Sequence, residues 1–124
     1  MRNTDLMIGD WIFYPNNTPQ KITGLAPGID ENGNIHYQFF NDVEWYELEK
    51  AKPIPLTPEI LEKNRFSLEH YSGNIMIGNW WTREDFVFHE NRNDSVGRNN
   101  FKYEYVHQLQ HALKLCGIEK EIVL

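Results

Sequence analysis

Five residues near the end of the chain, His107-Gln108-Leu109-Gln110-His111, offer the most direct chemistry. Two imidazoles four positions apart stand one above the other on a helix, where both can reach one zinc ion, as in the H-E-x-x-H pattern. The match fails at its reactive member. Gln108 occupies the place of the glutamate that would take a proton from metal-bound water, and a neutral amide cannot accept it. His111 is the last histidine, so a third ligand would have to be Glu119, Glu121 or a distant residue, and no spacing singles one out. A metal-dependent hydrolase built on His107 and His111 is therefore the alternative reading. The preferred one places both histidines beside an apolar helix stripe, with no metal, no cofactor and no catalytic residue.

Cys116 could act as a nucleophile if a histidine lay beside it, but it continues the apolar stripe, where a thiol behaves as a small buried hydrophobe. The sequence has no G-x-S-x-G elbow, no P-loop and no G-x-G-x-x-G after a strand. Asp42, Glu44, Glu47 and Glu49 read as the solvent face of a strand, not as a catalytic carboxylate pair.

Binding chemistry is better represented. Aromatic residues make up 14% of the chain, and two adjacent pairs, Trp45-Tyr46 and Trp80-Trp81, would send one ring to each face of a strand. An exposed ring on a small sheet can stack on a base, a sugar or a proline-rich peptide. The stretch from His89 to Lys102 is rich in Asn and carries Arg92, Arg98 and Lys102 against Glu90 and Asp94. Arginine forks and amides on a loop can hold a phosphate or a carboxylate. Trp45, Trp80, Trp81, Arg83, Arg92, Arg98 and Lys102 are thus the candidate ligand-binding residues.

Composition bounds these readings. At 124 residues with 40% hydrophobic content the chain suits one domain or two lobes sharing a core. Its net charge of −6 argues against duplex nucleic acid, whose binders carry a basic footprint. A single cysteine rules out an internal disulfide. Apolar runs such as Trp11–Tyr14 are too short to span a membrane, and Asp5 and Asp10 interrupt any signal-like core, so a soluble, cytoplasmic protein is expected.

The elements that would position these groups follow from turn chemistry. Short strands are expected at Trp11–Tyr14, Lys21–Thr23, Ile35–Phe39 and Val43–Glu47, the third entered from an Asn32-Gly33 hairpin signal. Ile35, Tyr37 and Phe39 would share one face. Pro53-Ile54-Pro55-Leu56 reads as an extended linker, and Thr57-Pro58-Glu59 as a helix start stopped near Asn64. Further strands are expected at Ile75–Ile77, around Trp80-Trp81, at Phe86–Phe88 and at Phe101–Tyr103. A helix from Glu104 to about Cys116 then buries Val106, Leu109, Leu113 and Cys116, with Gly117 as its stop. The expected class is α+β: an SH3-like curled sheet or barrel over 1–56, then a lobe over 57–124 with a short helix and an antiparallel meander packed on the last helix.

The segments Pro53-Ile-Pro-Leu-Thr-Pro-Glu-Ile-Leu-Glu-Lys-Asn64 and Tyr105-Val-His-Gln-Leu-Gln-His-Ala-Leu-Lys-Leu-Cys-Gly-Ile118, with Ile8-Gly-Asp-Trp11, resemble a set of small proteins from Bacteroidetes genomes, their phages and mobile elements. The resemblance covers about a third of the chain and implies a phage or mobile-element setting, with no activity or site residue attached. The resulting expectation is a non-catalytic binding protein that recognises a host protein or a small anionic ligand, with sequestration of a nucleotide immune signal as a special case. A structural component forming a homo-oligomer through its aromatic surface is the remaining alternative.

Overall fold

Glycines, asparagines and prolines break the first half of the chain into pieces too short for anything but small sheets. The computed structural model describes residues 6–73, 77–90 and 103–124. It shows β1 (Trp11–Phe13), β2 (Pro19–Lys21), β3 (Gly24–Ile29), β4 (Ile35–Phe40), β5 (Trp45–Glu47) and β6 (Lys52–Pro53). These strands pair antiparallel in two sheets, ordered β2-β1-β6 and β3-β4-β5. The chain forms two compact units, the first comprising Met1–Pro55 with Tyr105–His107, the second Leu56–Glu104 with Gln108–Leu124.

In the first unit, the β3–β4 connection turns at the expected Asn32-Gly33. The Gly33 amide bonds the Asp30 carbonyl at 3.0 Å, the Asp30 amide bonds the Asn34 carbonyl at 3.0 Å, and Gly33 lies at φ 79°. This is a three-residue loop whose last position needs the left-handed backbone that glycine adopts freely. The Asp30 carboxylate also accepts the Asn32 and Asn34 amides, each at 2.9 Å. At the other end of the hairpin Phe39 is fully buried, while Ile35 and Tyr37, on the same face, stay exposed. Phe39 joins Leu6, Ile12, Ile22, Leu48 and Ala51 in the core, with Tyr14, Leu25 and Tyr46 packed against it. The rings of Tyr14, Phe39 and Tyr46 lie 4.6 to 5.5 Å apart, filling with three large side chains a space that short strands could not fill with small ones.

Two sequence expectations need correction here. No strand spans Lys21–Thr23: β2 ends at Lys21, and β3, in the other sheet, starts at Gly24 and runs to Ile29 with Pro27 inside it. Nor is Pro53 in an unpaired linker, since Ile12 pairs with Pro53 and the Ile54 carbonyl accepts the Val106 amide at 2.9 Å. Both prolines are on outer strands of their sheets, where a missing N–H removes no interior ladder bond.

The second unit opens with α1 (Pro58–Lys63). Thr57 accepts the Ile60 amide at 3.3 Å, Pro58 takes the first turn and Asn64 ends the helix, as the sequence predicts. A third antiparallel sheet follows, ordered β7-β8-β9, from β7 (Ser67–Ser72), β8 (Ile77–Arg83) and β9 (Phe86–His89). The polar residues of β7 suit a loop and carry no strand pattern; it is an outer strand and mostly exposed. The β8–β9 turn is the two residues Glu84-Asp85. Phe88 meets Phe66 at 5.6 Å and Tyr103 at 5.2 Å, both edge to face.

The last helix, α2 (Val106–Leu115), starts two residues later than expected and buries Val106, Leu109 and Leu113. Cys116 is exposed, contrary to its expected place in the stripe. It follows the final helical turn, where the chain already swings towards Gly117 at φ 73°. Residues 118–124 form no regular element, yet Ile122 is buried and the Asn64 side chain grips Val123 from both sides. The Asn64 amide nitrogen donates to the Val123 carbonyl at 2.8 Å, and its oxygen accepts the Val123 amide at 2.7 Å. The strands expected over 75–76 and 101–102 lie outside the described residues. The described chain is thus three small antiparallel sheets with two α-helices. Among the described residues no helix is long and apolar enough to cross a membrane.

Two outcomes follow for stability. Replacing Asn64 with alanine leaves the Val123 amide and two carbonyls without their partner and should cost about 2 kcal/mol in urea unfolding. In the first unit, His36 Nε2 lies 2.7 Å from Asp30 Oδ2 and Nδ1 lies 3.3 Å from Glu49 Oε1. The hydrogen bond to Asp30 chiefly raises His36 above 6.5, and the same bond chiefly lowers Asp30 below 3.8. The His36 contribution is complete below pH 6.5 and fades as pH rises through the raised value; that of Asp30 holds above 3.8 and fades as pH falls through the lowered one. The stability difference between wild type and His36→Gln should therefore peak between pH 3.8 and 6.5 and narrow on either side, measured by denaturation across that range.

Candidate anion-binding cleft

The end of α1 settles its own hydrogen bonds and leaves its cations for other uses. The Phe66 amide bonds the Leu61 carbonyl at 3.0 Å, the Arg65 amide bonds the Glu62 carbonyl at 3.1 Å, and the Asn64 side chain caps the Ile60 carbonyl at 2.7 Å. Arg65 makes the reversal at φ 69°, and Lys63 and Arg65 are exposed on either side of buried Asn64. Lys63 Nζ donates to the Leu124 carbonyl at 2.5 Å.

Arg83, at the end of β8, is the fixed point of the cleft. Its side chain is only 5% exposed and its Nε pairs with the Asp85 carboxylate. Nη1 donates to the Asn64 carbonyl at 3.3 Å, and the guanidinium lies 4.5 Å above the Phe66 ring. Nη2 has no hydrogen-bond partner among the described residues. Burial pushes the Asp85 carboxyl up, but the hydrogen bond and charge of Arg83, aided by Lys120, outweigh it and hold the group below 3.8. Lys120 Nζ is 3.1 Å from Glu84 Oε1 and 3.5 Å from Asp85 Oδ2.

These residues surround a cleft of about 530 Å³, lined by Lys63, Arg65, Arg83 and Lys120, with Asn64, Val123, Glu84 and Glu121 completing the wall. Its four cations face Glu84 and Glu121 on the lining, with the Asp85 carboxylate against Arg83 and Lys120, which leaves a small positive excess in a chain whose net charge is −6. Arg65 makes no ion pair among the described residues. Such a wall can attract and orient an anion.

The residues singled out by sequence are distributed unevenly around it. Arg83 is in the cleft. Trp81 shares its face of β8 but is buried among core side chains, which leaves no ring surface for stacking. Trp80 is on the opposite face, part-buried, with its indole N–H committed to the Ile77 carbonyl at 3.2 Å and its ring edge to face with His89 at 5.1 Å. Trp45 belongs to the first unit, 49% exposed, resting on Phe40 at 5.2 Å, while Tyr46 turns inward. Arg92, Arg98 and Lys102 lie outside the described residues.

Of the histidine pair, His107 is buried and stacks on Tyr105 at 5.8 Å, whereas His111 is part-exposed. Gln108 accepts the Glu104 amide at 2.8 Å, so its side chain serves the start of α2. Among the described residues no three His, Cys, Asp or Glu side chains are grouped to hold a metal ion. Lys63, Arg65 and Lys120 were not picked out by sequence reasoning. The one available signal was the pair of cations flanking Asn64 at a helix stop that lacks glycine.

No protein-family model, curated protein or solved structure matches the chain.

Removing Arg83 strips Asp85 of its partner and Phe66 of its covering cation. Arg83→Ala should lower stability by about 3 kcal/mol, read from chemical denaturation at neutral pH.

Proposed function

We propose that the protein is a non-catalytic binding protein that holds a small anionic ligand in the cleft of its second unit. The observation that carries this reading is the convergence of Lys63 and Arg65, Arg83, and Lys120, from three separate stretches of chain, on one concave surface. Arg83 is oriented before any ligand arrives, by Asp85, the Asn64 carbonyl and the Phe66 ring, so little side-chain freedom would be lost on binding. Arginine next to lysine suits an oxyanion, the first through a planar fork and the second as a point charge.

The resemblance to small phage and mobile-element proteins supports a setting in the cytoplasm of a bacterial host. There, a binding protein of this kind would act by holding its ligand away from other receptors, a nucleotide signal being one ligand of suitable charge. In the same reading the first unit is an SH3-like curled sheet, and the β7–β9 meander of the second packs on α2.

The test is thermal unfolding of the full chain with phosphate, pyrophosphate, citrate and a nucleoside monophosphate at low ionic strength. At least one should raise the Tm in a concentration-dependent manner, and the rise should shrink in 0.5 M sodium chloride and in Lys120→Ala. Flat curves with all four anions would refute the reading.

A further inference from the structure

Both α-helices end in the same hydrogen-bond pattern, with different residues at the left-handed position. After α2, the Gly117 amide bonds the Lys114 carbonyl at 3.0 Å and the Ile118 amide bonds the Leu113 carbonyl at 2.9 Å, with Gly117 at φ 73°. After α1 the corresponding bonds are Arg65 to Glu62 and Phe66 to Leu61, with Arg65 at φ 69°. Glycine enters this region without strain, while a residue with a Cβ crowds its own carbonyl. The pattern asks only for a backbone N–H and a reversal, so glycine would serve α1 as it serves α2.

Among the described residues no contact offsets the strain of an arginine at this position. Its side chain is exposed, it makes no ion pair among the described residues, and the carbonyls at the end of α1 already have partners. What the arginine does provide is a guanidinium on the wall of the cleft that also holds Lys63, Arg83 and Lys120. Strained backbone conformations cluster at functional sites, so one kept on the wall of a cleft points to a role there.

We infer that Arg65 is the residue that recognises the ligand and that the group it recognises is a phosphoryl group; this rests on the anion-binding reading above. A carboxylate presents two oxygens in one plane and is satisfied by a single guanidinium fork. A phosphoryl group carries close to two charges and three acceptor oxygens pointing in different directions. Cations supplied from the α1 end, the β8 end and the Lys120 segment match the second arrangement. Arg83, tied to Asp85 and Asn64, forms the fixed side, and Arg65 closes on the remaining oxygens.

The experiment compares wild type, Arg65→Gly and Arg65→Lys as full chains, by thermal unfolding without ligand and by calorimetric titration with pyrophosphate and with citrate. Arg65→Gly should raise the ligand-free Tm by about 2–4 °C and weaken pyrophosphate binding about tenfold or more. Arg65→Lys keeps the charge without the fork; it should bind with intermediate affinity and gain no stability. Wild type should prefer pyrophosphate to citrate. If Arg65→Gly binds pyrophosphate as tightly as wild type, gains no Tm, or if wild type prefers citrate, the inference is overturned while anion binding stands. If wild type binds neither anion, both readings fall.

Discussion

A single carboxamide organises the second unit. Asn64 ends α1 with its backbone, caps the Ile60 carbonyl with its side chain, and holds Val123 by both amide and carbonyl. Its own carbonyl receives Arg83. Through these contacts three parts of the chain that are far apart in sequence, the α1 end, the β8 end and the last residues, keep fixed positions around the cleft. Burial makes this possible, because an amide away from water holds its partners where an exposed one would exchange them for solvent. Without Asn64, the last residues would lose both hydrogen bonds at Val123 and would rest on the Lys120 ion pairs, the Lys63 bond to Leu124 and buried Ile122.

Electrostatics in the cleft follow from that frame. Arg83 is balanced by Asp85, and Lys120 is shared between Glu84 and Asp85, so half the basic wall is neutralised within the protein. The surplus positive charge lies at the α1 end. The pairing with Asp85 spares the buried arginine the heavy penalty of an isolated buried charge, and under the proposed function the asymmetry would give an anion a preferred side of approach.

Local features were the most legible from sequence. The Asn32-Gly33 turn, the Thr57-Pro58 helix start, the Asn64 stop and the apolar stripe of α2 each depend on a few neighbouring residues, and each stands where its chemistry places it. The strands that escaped notice, β3 and β7, carry a proline or a run of polar side chains, tolerated because both are outer strands. Cys116 was misplaced because helical spacing continues on paper past the point where Gly117 turns the chain. The cleft was invisible for a deeper reason. Its cations at 63, 65, 83 and 120 share no motif, and only the pairing of β8 with its neighbours and the hold on Val123 bring them together.

The prolines of the first unit have a consequence outside its own folding. Pro19, Pro27 and Pro53 stand on β2, β3 and β6, three of the four strands that border its two sheets. Each withholds a donor that a foreign chain would need to extend the ladder, so these borders make poor templates for growth by added strands. In the first unit, the same residues that obscure the strands in the sequence thus guard three sheet borders against fibril-like association.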